Sequence, residues 1–194
     1  MAAFKIELDY IVVVDVEHLC WEKNAKESSF PEIIQIGACK LWVDSLEVNS
    51  KKSYYIKPKY GKVSEKCFNL TGIAQEKLDS QGTSFIDALN KFNKDFGLKH
   101  RQWASYGDDG VLFRQQCQFF ACPYYFSPSH LNVALECAKL LGNKKGMSLE
   151  DCCDALNIGC KAHGDFHSAD NDAYYTSMVL AKLMKLQRIG LNGN

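Results

Sequence analysis

Tyr10-Ile-Val-Val-Val-Asp-Val-Glu17 is an apolar run that ends in acid. Apart from Asp15, Tyr10–Val16 is apolar and mostly β-branched, which predicts a strand buried on both faces. Side chains alternate along a strand, so Asp15 and Glu17 leave by the same face at its C-terminal end. Two carboxylates there repel each other, and burial raises the cost of keeping them charged. They are either solvated just past the strand end or compensated by protons or cations. The residues alone leave both readings open.

Working outward, Glu32–Trp42 reads as a second strand, and Ser53–Lys57 closes a third before Pro58 interrupts it. Short connections make these three antiparallel neighbours. Ser84 and Asp87 form a capping box, behind which Phe85, Leu89, Phe92 and Phe96 recur at helical spacing. Gln102–Tyr106 predicts a fourth strand, Val111–Phe120 a helix and Pro123–Phe126 a fifth strand. Helices follow near Leu131–Leu141 and Ser148–Leu156, and the last runs from Ser168 to about Arg188. Three strands, then alternating helix and strand, then helices give an α/β fold with a mixed sheet.

The chain has 194 residues, and 23 Lys+Arg balance 23 Asp+Glu. This length predicts one domain over residues 1–194, with a core large enough to need neither disulfides nor a structural metal. The neutral balance argues against gripping nucleic acid through bulk positive charge. Tyr10–Val14 is too short for a signal-peptide core or a membrane helix, and Met1–Asp9 has no basic leader followed by an apolar run. Nine cysteines without a CxxC predict reduced thiols, many of them buried, and a cytoplasmic location with no membrane partner.

Two further acidic sites follow. Tyr106-Gly107-Asp108-Asp109 comes directly after the fourth strand, where a Gly-Asp turn or helix cap is the ordinary alternative. His167 and Asp172 bracket the start of the last helix, and they converge if His167 lies in the preceding loop and Asp172 in the first turn. Four carboxylates at the edges of one sheet call for divalent cations, and all-oxygen ligation suits Mg²⁺ or Mn²⁺.

The order of these sites resembles the DEDDh 3′–5′ exonucleases on the ribonuclease H-like fold. Asp15-Val16-Glu17 matches the first motif, Asp108 the second, and His167 with Asp172 the third, while Asp109 and Asp170 stand outside the pattern. Glu32-Ile-Ile-Gln-Ile-Gly-Ala38 and Pro58…Ser64…Cys67…Leu70-Thr-Gly-Ile73 resemble the subgroup of histone-mRNA and RNA-interference-regulating exonucleases and their small bacterial relatives. His18 and Leu19 replace that subgroup's Ala-Thr, and Asp170-Asn171 its Leu-Asp.

The resemblance implies a mixed five-stranded sheet flanked by helices. It also implies two-metal hydrolysis of terminal phosphodiesters to nucleoside 5′-monophosphates, at the 3′ ends of single-stranded RNA or DNA. Asp15, Glu17, Asp108 and Asp172 would hold two Mg²⁺, with Mn²⁺ as a substitute, and His167 would be the general base. His18, Leu19, Trp21, Leu70, Thr71 and Ile73 would line the pocket of the last nucleotide, and a protein partner could direct substrate choice. Three competing readings are a non-catalytic nucleic-acid-binding or regulatory module on the same fold, a zinc site from Cys152, Cys153, Cys160, His163 and His167, and a relative on the same fold that acts on DNA, such as a proofreading exonuclease, against which the subgroup strings point to RNA.

Overall fold

The computed structural model describes residues 6–23, 30–142, 146–159 and 164–192, and of 188–192 only the backbone. Its centre is β1 (Glu7–His18), which is longer than its apolar run at both ends. Ile11 to Val14 are almost wholly inaccessible, as expected of a strand covered on both faces. Tyr10, Val12 and Val14 enter one core with α3 (Phe85–Phe96), whereas Ile11 and Val13 enter a second core with the helices on the opposite face.

β2 (Ile33–Trp42) and β3 (Val48–Tyr55) continue the sheet as an antiparallel meander. β4 (Arg101–Ser105) and β5 (His130–Asn132) extend the other side in parallel, giving the order β3-β2-β1-β4-β5. The expected mixed five-stranded sheet is therefore present, with two changes of boundary. The third strand runs over Val48–Tyr55 rather than Ser53–Lys57. The fifth is not Pro123–Phe126. That segment is irregular, and its Phe126 packs on Trp103 and Phe113 at 4.6 Å each. The three residues that do pair with β4 precede α5 (Val133–Leu141), whose N-cap Asn132 accepts from the Leu135 amide.

Two helices have no counterpart in the sequence reading: α1 (Glu65–Thr71) and α2 (Gln75–Gln81). Each has seven residues and buries at most two side chains, too few to print a periodic pattern. The expected cap of α3 is formed, Ser84 Oγ accepting from the Asp87 amide at 3.1 Å. α4 (Asp109–Phe119) follows β4, and α6 (Leu149–Ala155) and the long α7 (Ala169–Asn192) complete the layer shared with α5. No helix among the described residues is long and apolar enough to cross a membrane.

Gly37 on β2 decides where α7 sits. A Cβ there would lie 2.0 Å from the Ala169 carbonyl carbon, so only glycine lets the helix start rest directly on the strand. α7 is thereby brought beside Asp15, whose register partner is Gly37.

The cysteines correct one expectation. Cys137 on α5 and Cys152 on α6 are joined as a disulfide, while Cys20, Cys39, Cys67, Cys117 and Cys122 are free. The bridge arises because both helices pack their buried faces into the same core against α7.

Candidate active site

β1 carries Asp15 and Glu17 out of the core at its C-terminal end, and the first turn of α7 lowers Asp172 onto them. One ligand-capable oxygen from each of the three carboxylates lies within 4.8 Å of the others. Burial, and then the negative charges of Asp109, Asp172 and Glu17, hold Asp15 well above the ordinary carboxylate range. Burial, followed by the charges of Asp172 and Asp109, lifts Glu17 to about 7. Asp172 rises to about 6 through burial, opposed by the His167 amide and the nearby His167 ring.

His167 precedes the helix with φ +63°, a left-handed conformation that costs a non-glycine residue roughly 1–3 kcal/mol. Its backbone N–H donates to Asp172 Oδ2 at 3.0 Å, so the strained turn fastens the exposed histidine to the acid cluster. Gln35 on β2, fully buried, fixes the same turn. Its Oε1 accepts from the Ala169 amide at 3.2 Å, and its Nε2 donates to Asp170 Oδ1 at 3.2 Å and Ser53 Oγ at 2.9 Å. Asp170 is also paired with Lys51 at 3.2 Å and therefore turns away from the cluster.

The second motif is where structure and sequence part. Asp108 has a side chain 60% exposed, with Arg114 as its ion partner at 4.0 Å. Asp109, first residue of α4, is the acid that acts electrostatically on Asp15 and Glu17. Its Oδ2 is buried with no hydrogen-bond partner. Burial and the charge of Asp108 raise it to about 7, against a hydrogen bond from Ser105. The signal was present in the helix itself: α4 buries Phe113, Gln116 and Cys117, and stepping back four residues from Phe113 lands on Asp109.

The donor set fits divalent cations. Asp172 Oδ1 and Asp109 Oδ2 are both buried without partners, and the groups acting on Asp15 are other carboxylates. Such oxygens are stable when a cation neutralises them, and all-oxygen ligation favours Mg²⁺ or Mn²⁺ over Zn²⁺. The zinc alternative loses Cys152 to the disulfide, and Cys153 is buried in the helical core; Cys160 and His163 lie outside the described residues.

Comparison with known proteins decides the family. The family profile described as Exonuclease (RNase_T) matches residues 12–180. The chain belongs to the exonuclease family. Among its relatives, the probable 3′-5′ exonuclease KapD of Bacillus subtilis (strain 168) is 27% identical over 177 residues, 90% of this chain and 84% of that protein. ERI1 exoribonuclease 2 of Danio rerio is 38% identical over 213 residues, 93% of this chain and only 36% of that protein. The nuclease domain of 3′hExo, a DEDDh family member solved with bound rAMP, superposes with a TM-score of 0.73 at 21% identity, covering 93% of this chain and 94% of that one. The fold is thus that of the ribonuclease H-like DEDDh exonucleases.

In this exonuclease the residues expected at the nucleotide pocket divide into two groups. Leu19 is 0% exposed and Ile73 is buried beside it, in a small core with Ile34, Cys67 and Leu78. Thr71 is buried too, its hydroxyl donating to the Cys67 carbonyl and accepting from the Ile73 amide. These three belong to the core where the segment after β1 and α1 pack their apolar sides together. His18 and Trp21 are half-buried, whereas Leu70 is 46% exposed and its neighbour Phe68, absent from the sequence reading, is 47% exposed. Ser64 Oγ, donating to the Cys20 carbonyl at 2.6 Å, ties α1 to the segment after β1.

Proposed function

We propose that the chain removes nucleotides from the 3′ end of single-stranded RNA, releasing nucleoside 5′-monophosphates, with single-stranded DNA as a second substrate. The name of KapD, a probable 3′-5′ exonuclease, supports the polarity, and that of ERI1 exoribonuclease 2 supports RNA. The observation that carries the reading is the convergence of Asp15, Glu17 and Asp172, with Asp109 facing them and two carboxylate oxygens lacking partners.

On this reading Asp15, Glu17, Asp109 and Asp172 hold two Mg²⁺, and Asp109 takes the place first given to Asp108. Bound by these residues, the cations would supply Lewis acidity at the phosphodiester and to the attacking water. His167 accepts the proton of that water at a ring nitrogen, a task suited to an imidazole near neutral pH. Its backbone N–H, bonded to Asp172, holds the residue beside the cluster. His18, Trp21, Phe68 and Leu70 offer the surfaces against which the terminal nucleotide packs. Residues 1–194 act as one exonuclease domain.

The test is digestion of 5′-labelled single-stranded RNA and DNA with and without Mg²⁺. A ladder shortening from the 3′ end, faster on RNA and absent with EDTA, is the expected result. Internal cuts, or no digestion in any divalent metal, would overturn it.

A further inference from the structure

Five aromatic rings form a continuous row at the C-terminal end of α4, the end opposite Asp109. Phe30 stacks on Phe119 at 4.2 Å, Phe119 meets Tyr60 at 5.4 Å, Tyr60 reaches Phe120 at 6.4 Å, and Phe120 stacks on Phe85 at 5.5 Å. Two of these rings are open to solvent, Tyr60 at 61% and Phe119 at 46%. The last two line a groove of about 540 Å³ between the segment after β3 and the start of α3, with Lys57 and Lys59 among its other walls.

The row is joined to the catalytic end of the sheet by covalent and hydrogen-bonded links. α4 begins at Asp109, whose charge acts on the cluster, and ends at Phe119, about 15 Å away at the rise of an α-helix. Glu32, whose carbonyl accepts from the Leu19 amide, is buried, and its carboxylate accepts from the amides of Lys59, Tyr60 and Gly61 at 2.7–2.8 Å. That carboxylate is spent on holding the Tyr60 loop and is turned inward. Lys57–Lys62 holds three lysines and no acid; Lys57 is paired with Asp79 at 3.0 Å, and Lys59 and Lys62 are exposed. Lys59 Nζ lies over the Tyr60 ring at 5.1 Å.

Exposed rings interleaved with lysines match one kind of ligand, a single nucleic-acid strand with stackable bases and an anionic backbone. We propose that the Phe30–Phe119–Tyr60 row and its groove bind the single-stranded part of the substrate upstream of the scissile end. This deepens the exonuclease reading and rests on it for the strand's direction. The row would let a chain of zero net charge keep hold of a strand between successive cuts.

The experiment compares wild type with Tyr60→Ala, Phe119→Ala and Lys59→Gln in two assays. Binding of a fluorescent RNA dodecanucleotide is read by anisotropy in metal-free buffer. Dinucleotide hydrolysis is read with Mg²⁺. Stacking losses of this kind predict dodecanucleotide affinity roughly tenfold or more weaker for each aromatic variant. Lys59→Gln should lower the salt dependence of binding by about one phosphate contact. Dinucleotide hydrolysis should hold its rate, because so short a substrate does not reach the row. Unchanged dodecanucleotide affinity in both aromatic variants overturns the proposal, and so does a parallel fall in dinucleotide hydrolysis. A wild type that binds the dodecanucleotide through these residues but hydrolyses neither substrate would instead refute the exonuclease reading and leave the row a strand-binding surface.

Discussion

Asp109 opens α4 with one carboxylate oxygen buried and unpartnered, while Asp108, one residue earlier, faces Arg114 and solvent. Substituting each separately distinguishes them. Asp109→Asn should lower the rate more than about 100-fold, since even outer-shell groups of metal sites cost 10–100-fold. Asp108→Asn should stay within about a factor of two, as most surface changes do. Steady-state rates on one oligonucleotide check both, and the reverse ranking would return the site to Asp108. His167→Asn should keep the fold and lose roughly 10²–10⁴ in rate, the usual weight of a general base. A loss confined to KM would argue instead that His167 only positions the strand.

Gly37 and Gln35 act at the scale of elements, because they fix how α7 meets β2. Gly37→Ala puts a methyl group into the Ala169 backbone, and neither side is a flexible side chain. Overpacking of this kind costs roughly 1–3 kcal/mol, and here it also lifts His167 and Asp172 away from Asp15. Thermal unfolding and activity should therefore fall together; an unchanged melting temperature would show that the helix start can shift freely.

The same scale shows what the sequence could convey. β1, β2 and α3 were legible because each buries enough residues to print a period of two or 3.6. α1, α2 and β5 were not, being short and partly exposed, and Pro123–Phe126 imitated a strand because aromatic residues serve loops that plug a core as well as they serve sheets. In the site, spacing singles out Asp15, Glu17 and Asp172, and the fold gathers their carboxylates. Choosing between the adjacent acids Asp108 and Asp109 needs the phase of α4, which the motif alone does not give. Leu19 and Ile73 were assigned to the nucleotide because their motif borders it, but they face the core behind.

Across the whole molecule, the metal-free site stores mutual repulsion. Glu17 and Asp109 both hold protons up to about 7, well above their ordinary values. The folded state thus binds more protons than the unfolded state between the ordinary carboxylate pKa and about 7, and stability must fall as pH rises through that window. Glu17 alone contributes on the order of 1–3 kcal/mol, present below pH 4.5 and lost above about 7. With EDTA, the melting temperature should drop between pH 5 and 8. Mg²⁺ should restore it at pH 8, and Asp15→Asn should raise the metal-free value there. A metal-free melting temperature that climbs with pH would show that these acids are not crowded together.

The zero net charge follows the same balance, since part of the acidic count is gathered where cations are to bind and lysines are left exposed along Lys57–Lys62. The central claim is that this acid cluster cuts nucleotides from 3′ ends, and it is tested most directly with RNA labelled at its 3′-terminal nucleotide. In the presence of Mg²⁺, wild type should release the label as a nucleoside 5′-monophosphate from the first turnover, and Asp15→Asn, folded by circular dichroism, should release none. Label appearing first in longer fragments, or appearing equally with Asp15→Asn, would contradict the account.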